Sequence, residues 1–165
     1  MQRSLLILCL MMGTASTSGL AQASVRIEPA NLHGSRVLPE QTASAAVRDY
    51  LLAWQSLQAA FEQNRPEMLD IGFVGIAKDK LAAVIARQAE LKLRTRYLDP
   101  AHDIQLVLYS PEGLSIELTD KVTYDFVLLD HEQVKTTQRI VSRYVIVLTP
   151  TETRWKVRVF QSDAN

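Results

Sequence analysis

Asp120 is the residue most able to do chemistry. It falls on the apolar face of a predicted strand, between Leu118 and Val122. The alternation continues in register on both sides, so no one-residue bulge explains it away. A carboxylate enclosed by apolar groups has a raised pKa and can serve as a general base. The competing reading puts Asp120 at a solvated sheet rim or pairs it with a helix arginine. Ser142 is a smaller polar residue on the Ile140–Tyr144–Ile146 face. It either lines the same space or bonds to neighbouring backbone. The histidines are His33, His102 and His131, and none has another histidine two to five residues on, so no metal site is expected. No G-x-S-x-G elbow is present. Gly72 and Gly75 punctuate a short break and form no phosphate cradle, and no cofactor is implied.

Two predicted helices and four predicted strands must position these residues. Val47, Tyr50, Leu51, Trp54, Leu57 and Phe61 make one helical stripe, placing a helix over about 44–63. Thr42 or Ser44 is its expected cap, and Asn64-Arg65-Pro66 its stop. Pro66–Ile71 reads as one short helical turn. A further helix is expected over about 77–97, with Leu81, Val84, Ile85, Leu91 and Leu98 as its stripe. Lys92, Arg94 and Arg96 would lie at its C-terminus, where positive charge suits the helix dipole.

From His102 the period changes from 3.6 to 2. Ile104–Tyr109 is an expected strand. Leu114, Ile116, Leu118, Val122, Tyr124, Phe126 and Leu128 share one face of the next. Val134–Leu148 returns, apolar on both faces from Tyr144 and therefore central. Arg154–Gln161 closes the sheet, with Trp155, Val157 and Val159 expected on one face. Helices first and an antiparallel meander after them define an α+β domain, with N-terminal helices packed on one face of a curved antiparallel four-stranded sheet.

The first 23 residues read as an address. Arg3, the apolar run Leu5–Met12 and the exit Ala21-Gln22-Ala23 have the order of a secretory signal peptide. The run is too short to span a bilayer, so no transmembrane segment is expected in the mature chain. Export to a periplasm or the extracellular medium follows. The mature domain would begin at Ser24 with 142 residues, 17 basic and 18 acidic. That balance argues against nucleic acid as a partner. The single cysteine, Cys9, lies inside the signal, leaving a domain without disulfide or thiolate. Residues 24–43, with Pro29, Gly34 and Pro39, read as a linker or arm carrying a short extended piece at Val25–Glu28. The domain itself is expected over 44–161, with 162–165 as a tail.

A long helix containing Trp54, a short helix after Pro66, another helix, and then long strands ending in Arg154-Trp155-Lys156-Val157 resemble the nuclear-transport-factor-2-like superfamily. The arrangement is similar to its membrane-associated binding domains, such as those of the mitochondrial import motor and plastid-division proteins. The resemblance covers about residues 44–161. It implies a cone whose concave sheet face meets a hydrophobic ligand or a protein partner, and it makes a homodimer through the sheet an expectation. Isomerase-like members pair an acidic residue with a tyrosine inside the cone. Here that implies Asp120 with Tyr97, Tyr124 or Tyr144, and Ser142 beside them. Fold alone does not choose between these activities. The first reading is an exported, non-catalytic binding or scaffold domain. The rival is an isomerase- or dehydratase-like enzyme with Asp120 as base. A third reading is an envelope-assembly accessory whose arm orders on contact.

Overall fold

A proline cannot donate a backbone hydrogen bond, so it is at home just ahead of a helix. Pro39, in extended conformation, precedes α1, which runs Glu40–Gln63. The helix thus starts a turn earlier than the expected Thr42 or Ser44 cap, with no side-chain cap and with Glu40 in its first turn. It stops at Asn64, which takes a left-handed conformation at φ 53°. The computed structural model describes residues 24–33 and 36–163; the proposed signal peptide lies outside them.

A 3-10 turn, Pro66–Ile71, leads to α2, Gly75–Glu90. This helix is shorter than the 77–97 expectation. Lys92 adopts φ 58°, which ends it, and Leu93 opens strand β2. Arg94 and Arg96 therefore decorate a strand and not a helix terminus, pairing with Glu132 and Glu62. The period-2 alternation Leu93, Thr95, Tyr97 was the overlooked signal.

The strands are β1 Ser24–Ile27, β2 Leu93–Tyr109, β3 Ile116–Asp130, β4 Gln133–Pro150 and β5 Trp155–Ser162. They form one sheet in the order β1-β2-β3-β4-β5, antiparallel except for β1, which pairs parallel to β2. The sheet has five strands, not four, because residues read as an arm supply the fifth. Beyond β1 the chain stays docked: Glu28, Asn31 and His33 N–H donate to the carbonyls of Ile104, Leu106 and Val107.

β2 is kinked where Asp99 takes φ 49° before Pro100, and its register shifts between Leu98 and Ala101. A two-residue turn, His131 and Glu132, both at positive φ, closes the β3–β4 hairpin. A bulge in β5 breaks the expected face of Trp155, Val157 and Val159: Val157 pairs with Leu148 and Phe160 with Ile146, so Val159 points the other way.

The core lies between α1 and the middle of the sheet. Tyr50, Ala53 and Leu57 of α1 cover Ile104, Ile116, Leu118, Val122, Ile146 and Leu148, all buried. Leu114, expected on this face, precedes β3 and is exposed. Gly72 lies directly against Ala53, and its carbonyl accepts from Val157 N–H at 2.8 Å. That glycine lets the 3-10 turn approach α1 while holding the start of β5.

Candidate functional site

Asp120 sits on the core-facing side of β3, opposite Ile104 on one side and Tyr144 on the other, and is completely buried. Three donors converge on it. Tyr50 O–H donates to Oδ2 at 2.8 Å, and Asp103 N–H donates to Oδ1 at 3.1 Å. His102 Nδ1 lies 2.7 Å from Oδ2. Facing a carboxylate, that ring nitrogen is the donor. Trp54 Nε1–H in turn donates to Tyr50 Oη at 2.7 Å. The chain Trp54→Tyr50→Asp120 thus runs from α1 to β3, and His102 joins it from β2. Burial first, and the nearby Asp120 second, push the Tyr50 phenol well above its ordinary pKa, so it remains a donor.

The sequence reading put Asp120 on the right face but gave it other partners. Tyr97, Tyr124 and Tyr144 do not bond to it. They belong to an aromatic cluster around Trp54, whose ring meets those of Tyr97, Tyr124 and Tyr144 at 6.3, 6.1 and 5.8 Å between centroids. Tyr124 and Tyr144 hydroxyls are 3.3 Å apart, and Phe160 stacks on Tyr144 at 4.6 Å. Burial pushes the Tyr97 and Tyr124 phenols up as well. Ser142 shares this side of the sheet, opposite Val122, and is half-buried. The network partners that sequence reasoning missed are Tyr50 and His102. Tyr50 reads as one more stripe residue, and the kink at Asp99-Pro100 hides His102's membership of a strand.

A second buried carboxylate, Asp49, ties α1 to β5: its Oδ2 accepts Trp155 N–H at 2.9 Å and its Oδ1 accepts from Arg48. Beside it, an apolar groove of about 370 Å³ runs between β1 and α1, over Ile27, Val47, Leu51 and Leu52 with Arg48 at its rim. A smaller polar hollow of about 230 Å³ lies where Arg26, Asp103 and Lys121 meet. Neither is lined by Tyr97, Tyr124, Ser142 or Tyr144. Among the described residues, no group of three or more His, Cys, Asp or Glu is placed to hold a metal. No described helix is long and apolar enough to cross a membrane.

The chain matches no protein-family model and no curated protein. Its fold is shared. The intermembrane-space region of the chloroplast protein ARC6 superimposes with a TM-score of 0.56 at 19% identity, over 79% of this chain and 100% of that one. A proposed scytalone dehydratase from Novosphingobium aromaticivorans gives a TM-score of 0.47 at 10% identity, over 76% of this chain and 89% of that one. The fold shared with the ARC6 region is an α+β one, with helices packed on a curved, largely antiparallel sheet.

Proposed function

We propose that this is an exported, non-catalytic binding or scaffold domain whose concave sheet face takes a protein partner or a hydrophobic ligand. The observation that carries this reading is the state of Asp120. It has no exposure, Oδ2 faces two donors and Oδ1 a third. Such a carboxylate organises a core; a general base needs an open approach to a substrate proton. The concave face continues through Phe126, Leu128 and Ile140, each half-buried, with Tyr97, Tyr124, Ser142 and Tyr144 beside them. Aromatic rings pack around Trp54 there, which favours a partner laid across the face over a small molecule enclosed within it. The groove between β1 and α1 is the better place for an apolar small molecule. A homodimer through the open face is a special case of the same reading.

The enzyme reading keeps one observation in its favour, the contact between His102 and Asp120 at the centre of the cone. Site-specific photo-crosslinking separates the two. A photoreactive residue at position 140 of the full chain, in its native cell fraction, is expected to capture a partner that the same residue at the exposed turn position 152 does not. Equal capture at both positions, or none at 140, would reject the concave-face reading. Thermal-shift screening against apolar metabolites is the complementary test: stabilisation lost in Leu51→Ala points to the groove.

A further inference from the structure

Strand β4 is unequally accompanied. β5 pairs with it only from Tyr144 to Pro150, and Asp163 N–H adds one bond to the Arg143 carbonyl at 2.7 Å. From Gln133 to Ser142, β4 has a ladder partner on one side only, β3, among the described residues. In an antiparallel strand a residue's N–H and C=O point to the same side, and sides alternate along the chain. Arg143 C=O points towards β5, so the groups of Val141, Arg139 and Thr137 point the same way, away from β3. Those of Gln138 and Ile140 point to β3. Val141 is 60% exposed, and Thr137, Gln138 and Arg139 are exposed too.

Folds that keep such an edge single set prolines, inward-pointing charges or a bulge along it. Here the bulge stands at one end, beside Lys135, where Leu128 pairs with Thr136 but Leu129 with Val134. From Thr136 to Ser142 there is no proline and only one charge. That charge, Arg139, is held by Asp125 of β3 at 3.0 Å. The stretch between bulge and β5 is regular and unguarded.

We infer that this edge pairs with itself: two copies of the chain join antiparallel through β4, about a two-fold axis at Gln138. A symmetric antiparallel pairing keeps each side chain on its own side of the sheet, so the axis must pass through a residue, and the registers can be counted. Centring on Arg139 sets arginine against arginine. Centring on Thr137 sets Arg139 against Lys135, and centring on Val141 sets it against Arg143. Centring on Ile140 brings Thr136 of one copy to Tyr144 of the other, where Ser162 of β5 already pairs. Any centre before Thr137 falls on the bulge. Gln138 remains, and it is the midpoint of the free edge. In that register Thr137 exchanges both main-chain bonds with Arg139 of the second copy, and Arg139 does so with Thr137. Ile140 meets Thr136 and Val141 meets Lys135, so no like charges lie directly opposite. With the axis perpendicular to the sheet, both concave faces turn the same way, and their Phe126, Leu128 and Ile140 strips become one surface. The inference concerns the edge alone and does not rest on the concave-face reading.

The test uses the full chain with Cys9→Ser, carrying either Gln138→Cys or Ile140→Cys. The two copies of residue 138 form a non-hydrogen-bonded pair at the axis, with Cβ atoms within disulfide reach. Residue 140 lies about 14 Å from its own copy. Mild oxidation is expected to link Gln138→Cys into a dimer and to leave Ile140→Cys as single chains. In the unaltered protein, the sedimentation mass should rise from one chain to two with concentration. Exchange of the Thr137, Arg139 and Val141 amides should slow in step, and that of Gln138 and Ile140 should change little. Thr137→Pro removes an N–H that β3 does not use and should weaken the dimer about tenfold. Gln138→Lys, which sets two lysines together at the axis, should do the same and carries the test should the proline variant fold poorly. Three results would overturn the proposal: the mass of one chain at every concentration, linking of Ile140→Cys as fast as Gln138→Cys, or slowing of those three amides only when cell extract is added, which would give the edge to a different protein.

Discussion

At the covered end of the sheet, Ile104, Leu118 and Ile146 lie under α1 with no exposure, and the one carboxylate among them, Asp120, meets three donors. At the hairpin end of β4, Gln133 to Arg139 are exposed throughout. The covered end is densely bonded and packed, with Tyr50, His102 and Asp103 N–H all on Asp120, so a change there is felt as stability. The hairpin end has half-buried Phe126, Leu128 and Ile140 on one face and unpaired backbone along one edge. A change there should be felt as lost binding. The contrast separates scaffold from surface within single strands.

The sharpest attempt to break that contrast is Asp120→Ala. It strands the Tyr50 hydroxyl, His102 Nδ1 and Asp103 N–H without their acceptor. A loss of about 3–5 kcal/mol in urea unfolding is expected; a loss under 1 kcal/mol would mean that water reaches the site. Gly72→Ala comes next. A methyl group there meets the Cα and Cβ of Ala53, so the 3-10 turn must shift and loosen its bond to Val157. About 1–3 kcal/mol of destabilisation should appear in the same assay.

Alkaline titration probes the covered end without mutation. The chain has five tyrosines, and burial raises the pKa of Tyr50, Tyr97 and Tyr124. Groups raised on folding contribute stability that is fully present below the unfolded pKa, near 10, and is lost as pH climbs towards the folded values. Ultraviolet titration should therefore show these three ionising only with unfolding. Ionisation of all five near pH 10 in folded protein would contradict the packing around Trp54. The smallest expected stability effect is at the other end: Ile140→Ser should cost less than about 1 kcal/mol, since the residue is only half-buried. It should nevertheless reduce crosslinking or partner capture at the concave face.

Much of the architecture was legible because long apolar stripes leave little choice of period. The Val47–Phe61 helix, the β3 alternation and the turn at Asp130–Gln133 follow from side-chain spacing alone. Asp120 was legible for the same reason, as a carboxylate in the wrong column. Its partners were not. Tyr50 and His102 lie 70 and 18 residues away in sequence, and no local pattern announces a hydrogen bond between layers. The end of α2 was missed because Leu91 and Leu98 continue its stripe, and only the left-handed turn at Lys92 cuts it. The fifth strand was missed because Ser24–Ile27 is too short to signal pairing and joins the sheet only through β2's exposed edge.

The central claim, that Asp120 and Tyr50 act together as a buried brace between helix and sheet, is tested most directly by a double-mutant cycle on urea unfolding. Tyr50→Phe, Asp120→Asn and the pair together should be non-additive, with a coupling energy of about 0.5–3 kcal/mol. Strictly additive effects would mean that the two side chains do not share a bond, and would return Asp120 to the pool of candidate catalytic groups.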